Sequence, residues 1–192
     1  MILGIESSFN DTGVAIVRAD GKVLANVTKT FEDRYQGESA PLRAADHHVE
    51  QLPIAYKTAL DLAGVSMTDI SAVAVTLGPG QMPALQAGLS YALGLGKEFD
   101  LPVIPVNHLE AHVMTGRMVD SENTDFPYLS VLATGGHTEL VMTRGVGLHT
   151  IMGITVDLAV GVFIDSAVEM ALARKDILGD EKQIRTFVYK YN

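Results

Sequence analysis

The sequence predicts an α/β protein built as two units of one plan. Short apolar runs rich in Val, Ile and Ala alternate with longer segments whose apolar residues recur at helical intervals. A strand, a polar turn, a hairpin, a further strand and a helix are met twice along the chain. The composition agrees: 47% of the 192 residues are hydrophobic and 19% charged, as in an ordinary globular protein.

The first unit opens with an apolar strand over residues 1–6, ending in the turn-forming run Glu6-Ser7-Ser8-Phe9-Asn10-Asp11-Thr12-Gly13. The chain resumes at 14–17, turns at Asp20-Gly21 and returns at 23–27, and Asp-Gly between β-rich runs is a hairpin signal. Residues 31–40 read as a loop. A helix follows from Arg43 to Ala63, with Pro53 expected to kink or restart it and Gly64 closing it. His47 and His48, near its start, read as solvated or capping residues, with substrate-side contact as the alternative. Residues 70–77 form a buried strand, and Gly78-Pro79-Gly80 turns into a helix over 83–98 that is rich in Ala and Gly, with proline well placed in its first turn. Such a turn can receive an anion, or simply connect two elements compactly. A strand at 101–106 then runs into His108-Leu109-Glu110-Ala111-His112.

The second unit follows a polar, acidic stretch at 119–125. It reads as a strand at 128–133, a glycine turn Thr134-Gly135-Gly136-His137-Thr138, strands at 139–143 and 148–154, and a helix over 157–174. Beyond Arg174 the pattern weakens, although Ile184, Phe187, Val188 and Tyr191 keep helical spacing. A strand with a polar tip followed by a hairpin is how the actin/hexokinase/Hsp70-like ATPase fold opens, and its duplication fits two lobes of that fold. The fold class is therefore α/β, actin-like ATPase (ASKHA), with a complete first lobe over 1–125 and a partial second lobe over 126–192.

His108 and His112 stand at i and i+4, so both imidazoles lie on one helix face and can reach one cation. Glu110 points roughly to the other side, which separates this run from the His-Glu-x-x-His pattern of zinc proteases. Spacing alone also allows two histidines that merely hydrogen-bond backbone and water. With no cysteine in the chain, a metal would be held by imidazole and oxygen. Adjacent Gly135 and Gly136 leave backbone amides open to a phosphate, whereas Ser7 and Ser8, taken alone, read as ordinary turn residues. The formal net charge of −9 argues against the chain alone gripping a nucleic-acid backbone, so a basic surface for RNA would be local or belong to a partner. The N-terminus lacks the basic region of a signal peptide, and no uncharged apolar run is long enough to span a bilayer. A cytoplasmic protein, with no membrane partner, is expected.

Taken together, Gly4-Ile-Glu-Ser-Ser8 with Asp11-Thr12, Gly78-Pro-Gly80, Val106-Asn-His-Leu-Glu-Ala-His112 and Thr134-Gly-Gly-His-Thr-Glu-Leu140 are specific in order and spacing. Across roughly residues 1–157 the chain resembles the TsaD family, the tRNA N6-threonylcarbamoyladenosine transferases, which include the catalytic subunit of the KEOPS complex. The resemblance implies one divalent metal, iron or zinc, on His108 and His112. It implies contact of Leu132, Ala133, Thr134, Gly135 and Gly136 with threonylcarbamoyl-AMP (or ATP) as the nucleotide ligand, and of Asp165 with its nucleoside part. It also implies tRNA, modified at position 37, as substrate, and TsaB/TsaE-like or KEOPS-like subunits as partners. It assigns no catalytic acid, base or nucleophile.

Two departures stand out. Where the family carries T-x-D-D-A-x-G-E-A-x-D-K, this chain reads Thr155-Val-Asp-Leu-Ala-Val-Gly-Val-Phe-Ile-Asp165-Ser166, so Leu158, Val162 and Ser166 replace acidic, acidic and basic residues. The family also continues further, and its third metal ligand, an aspartate, lies in that continuation; the chain reads as the N-terminal portion of such an enzyme, truncated or decayed. A non-catalytic TsaB-like scaffold is the alternative, and a truncated sugar-kinase-like protein ranks after it.

Overall fold

The computed structural model describes residues 1–31, 40–119 and 124–173. The expected loop between 31 and 40, most of the acidic stretch and the late helical pattern after Arg174 lie largely outside the described residues. Contacts group the chain into two units, Met1–His112 and Val113–Asn192.

The first unit is a five-stranded sheet with two helices. Strands β1 (Ile2–Glu6), β2 (Asp11–Val17) and β3 (Val23–Thr30) form an antiparallel meander; β4 (Ala72–Gly78) joins β1 in parallel and β5 (Val103–Asn107) joins β4 in parallel, giving the order β3-β2-β1-β4-β5. Alternation sets one face inward: Leu3 and Ile5 of β1 and Val14 and Ile16 of β2 are buried, while their neighbours are not. Helices α1 (Ala40–Ala63) and α2 (Met82–Phe99) supply the other side of the core through Leu52, Ala55 and Ala59 of α1 and Ala92 and Leu95 of α2. Burial of those apolar surfaces is the main force holding helices to sheet.

Three local expectations shift. β2 begins at Asp11, so Asp11, Thr12 and Gly13 are ladder residues and the turn is confined to residues 7–10. Helix α1 begins before Arg43 and runs unbroken through Pro53. Pro53 lies on the exposed face, as does Val49, whose carbonyl loses its partner to the proline ring; water can replace the missing donor there. His48 is neither solvated nor a cap but fully buried, at 0% exposure. At its far end α1 closes as expected, with Val65 N donating to Leu60 O at 3.2 Å and Gly64 N to Asp61 O at 3.3 Å.

In the second unit, β6 (Tyr128–Ala133), β7 (Thr138–Gly145) and β8 (Leu148–Ile154) form an antiparallel sheet in sequence order, followed by α4 (Val160–Ala173). Helix α3 (His108–Val119) leads into it. Helix α4 starts at Val160 rather than 157, because Thr155 and Leu158 close a turn first, Thr155 Oγ1 donating to Leu158 O at 2.9 Å. No helix among the described residues is long and apolar enough to cross a membrane.

Candidate functional site

Parallel strands β1, β4 and β5 end side by side, and open α/β sheets gather ligands at such carboxyl ends. Here those ends carry Glu6, Thr76 and Asn107. Asn107 caps α3: its Oδ1 accepts from the backbone N–H of Leu109 and of Glu110, both at 3.0 Å. That cap fixes where the helix begins and puts His108 in its first turn. His112 follows one turn later, and the two rings meet edge to face at 4.5 Å between centroids. Their Nε2 atoms are 3.2 Å apart.

Behind the pair stands Glu6. Thr76 Oγ1 and the Ser8 N–H donate to its carboxylate, and His108 Nδ1 lies 3.4 Å from Oε2. Burial pushes the Glu6 carboxyl up, but hydrogen bonds from His108, Ser8 and Thr76 outweigh it and hold the group at about 2. Ser7 is spent on packing, its hydroxyl donating to Ala84 O at 3.0 Å. The Gly80 position closes against the same turn, since a Cβ there would lie 2.6 Å from Ser8 O.

The histidines fit a shared cation as far as they go. Two nitrogens each about 2.0–2.1 Å from one tetrahedral ion stand about 3.4 Å apart, close to the separation between the two Nε2 atoms. They make a partial site: among the described residues there is no group of three or more His, Asp or Glu side chains that could hold a metal. The donor set, two imidazoles with oxygen to complete it, suits zinc or iron.

The glycine turn lies in the second unit. Leu132 is buried at 6% exposure, and Ala133 ends β6 opposite Thr138. Thr134 knots the turn: its N–H donates to His137 O at 2.8 Å and its Oγ1 accepts from His137 N at 3.0 Å. Gly135 and Gly136 are exposed, and a Cβ at either would meet nothing within 4 Å. Helix α4 docks on this turn. Val160 N donates to Thr138 Oγ1 at 2.8 Å and Gly161 N to Thr134 O at 3.2 Å. A Cβ on Gly161 would sit 2.7 Å from Gly135 Cα, so only glycine permits that approach. Asp165, exposed, lies one helical turn beyond Gly161 on the same face of α4. Leu158 and Val162 are exposed as well, at 50% and 41%.

Sequence reasoning gave no part to Glu6 or Asn107, although both stand within motifs, it missed Thr76, and it put His48 among solvated or capping residues. An asparagine directly before a helical run was the available signal for the cap. Nothing local marks Glu6 or Thr76, whose meeting spans a sequence separation of 70 residues.

The sequence matches the family model described as TsaD, tRNA N6-adenosine threonylcarbamoyltransferase, over residues 22–186. It is 40% identical over 167 residues to the probable mitochondrial tRNA N6-adenosine threonylcarbamoyltransferase of Drosophila melanogaster, covering 85% of this chain and 41% of that protein. It is 41% identical over 166 residues to the tRNA N6-adenosine threonylcarbamoyltransferase of Streptococcus agalactiae serotype III, covering 85% of this chain and 49% of that protein. The chain thus spans less than half the length of either relative. Among solved structures it is similar to YeaZ from Pseudomonas aeruginosa, with a TM-score of 0.54 and 18% identity over 79% of this chain and 64% of that one. That likeness bears on fold alone, and the fold is the α/β, actin-like one expected.

Proposed function

We propose that this chain, which belongs to the TsaD family of tRNA N6-adenosine threonylcarbamoyltransferases, serves synthesis of N6-threonylcarbamoyladenosine in tRNA. The reaction is attack by N6 of an adenine, at position 37, on the carbamoyl carbon of threonylcarbamoyl-AMP. The new N–C bond replaces the bond to the phosphate oxygen, AMP leaves, and N6 gives up a proton. The observation that carries the reading is the convergence of His108 Nε2 and His112 Nε2 at 3.2 Å in a chain of this family.

His108 and His112 would hold one divalent metal, iron or zinc. When bound, such an ion supplies Lewis-acid polarisation and a template for the threonylcarbamoyl group. The turn at Thr134, Gly135 and Gly136, with Leu132 and Ala133 leading into it, would bind the adenylate. Its exposed glycines leave the backbone amides accessible to phosphate or carboxylate oxygens. Asp165 would take the nucleoside, and ATP is the related nucleotide ligand. Exposed Leu158 and Val162 offer that ligand apolar surface where the family offers carboxylates. We read 1–125 as the first lobe of the fold and 126–192 as part of the second.

Partners are read from the family: tRNA, and TsaB/TsaE-like or KEOPS-like subunits. A cytoplasmic location is part of the same proposal; no helix among the described residues is long and apolar enough to cross a membrane, and the fly relative is named as mitochondrial. A non-catalytic TsaB-like scaffold is not favoured, because the relatives matched by sequence are named transferases and the YeaZ likeness speaks only of fold.

Elemental analysis of the purified chain beside His108→Ala and His112→Ala tests the centre of the reading. Iron or zinc in the parent and its loss from both variants is expected. Equal metal content in all three would end it.

A further inference from the structure

We infer that Glu6 is a positioning residue for the histidine pair: by accepting from His108 Nδ1, it holds that ring in the tautomer whose Nε2 is a bare lone pair turned toward His112. Its purpose rests on the metal reading proposed above, while the geometry stands without a metal.

Glu6 closes β1, and its side chain has room because Gly13 lies opposite in β2; a Cβ there would come within 3.2 Å of Glu6 Cβ. The carboxylate is then anchored from two elements. Ser8 N–H, from its own turn, donates to Oε1, and the Thr76 hydroxyl, from β4, donates to Oε2. Both oxygens accept, so a ring nitrogen arriving at Oε2 must bring the proton. His108 Nδ1 is that nitrogen, at 3.4 Å. A neutral imidazole carries one ring proton, which leaves His108 Nε2 as an acceptor. His112 Nε2, 3.2 Å away, is therefore the donor between the two rings.

The pair is consequently asymmetric. His108 is already in the form that coordinates through Nε2. His112 must move its proton from Nε2 to Nδ1 before its own Nε2 can do the same. A metal-binding histidine that donates its second N–H to a carboxylate is a recurrent arrangement, and losing such a partner lowers metal affinity by about 10–100-fold.

The test uses the ¹⁵N-labelled 192-residue chain, its Glu6→Ala variant, and Zn²⁺ as probe. Long-range ¹H–¹⁵N correlation in the metal-free proteins reads which nitrogen of His108 carries the proton, and titration reads Zn²⁺ affinity. The expected result is Nδ1–H on His108 in the parent. In Glu6→Ala the proton should shift toward Nε2, with Zn²⁺ bound about 10–100-fold more weakly. Nε2–H on His108 in the parent overturns the inference, and that measurement needs no variant to fold. An unchanged tautomer and unchanged affinity in a folded Glu6→Ala protein overturns it too. Failure of the parent to bind Zn²⁺ would instead defeat the metal reading, leaving the parent tautomer to decide the role of Glu6.

Discussion

His48 shows how much a single side chain can carry that spacing does not announce. It is buried at 0% exposure, accepts or donates at both nitrogens, and ties three segments together. Phe9 O lies 2.9 Å from Nε2, and since a carbonyl only accepts, the proton sits there. Nδ1 is then free to accept from Thr12 Oγ1 at 2.7 Å. Burial chiefly, with the neighbouring His47, lowers its proton affinity, against the Phe9 carbonyl, Glu6 and Asp11. The folded pKa is thus below the unfolded value of 6.5. Above that pH both states are neutral and the stabilisation is complete; as pH falls below it the unfolded chain binds more protons, and stability declines. Urea unfolding between pH 7.5 and 5.5 should show that decline, and His48→Gln should flatten it while costing about 1–3 kcal/mol at pH 7.5. An identical slope in the variant would assign the pH dependence elsewhere. At this scale the i, i+4 histidines were legible because a helix face is a local property. His48 and Glu6 were not, because their partners lie 36–39 and 102 residues away in sequence.

Elements were easier to read than residues. Strands β6 and β8 fall where alternation and turn residues put them, and the Asp20-Gly21 hairpin and Gly64 helix end are as expected, since each is set by a few adjacent residues. The late start of α4 combines a local turn with help from outside the element: Thr155 and Leu158 close a turn first, and Thr138 of β7 then caps the helix by accepting from Val160 N. The same docking separates two glycines that look alike in sequence. Gly161→Ala drives a methyl group into the backbone of the 134–135 turn and should destabilise the second unit by about 1–3 kcal/mol. Gly136→Val meets nothing within 4 Å of its Cβ, so unfolding should change little. Its effect should appear in calorimetry with an adenylate, as weaker binding at unchanged metal content, because the branched side chain blocks the amides. Full affinity in Gly136→Val would make the turn purely structural.

For the molecule as a whole, the fold was legible because the same strand–turn–hairpin plan recurs, and family membership because four motifs keep their order. That the site is partial was legible only through the resemblance, which puts the third metal ligand in the family's continuation; spacing alone could not show it, since it depends on ligands brought together by tertiary structure. Two imidazoles converge, yet the described residues offer no third ligand beside them, and zinc sites normally use at least three protein ligands. Relatives matched by sequence are about twice as long, the chain covering 41% and 49% of two of them. The 192-residue chain should therefore bind its metal loosely and lose it to a modest excess of chelator. It should also transfer little or no labelled threonylcarbamoyl group to tRNA on its own. Supplying the C-terminal part of the streptococcal relative, in cis or in trans, should make the metal resistant to the same chelator and restore transfer, with His108→Ala abolishing both gains. Measuring chelator resistance beside transfer distinguishes a missing ligand from a missing tRNA surface: resistance without transfer would point to the latter. Efficient transfer by the chain alone would show that the histidine pair and the glycine turn suffice, and the partial-site account would be wrong.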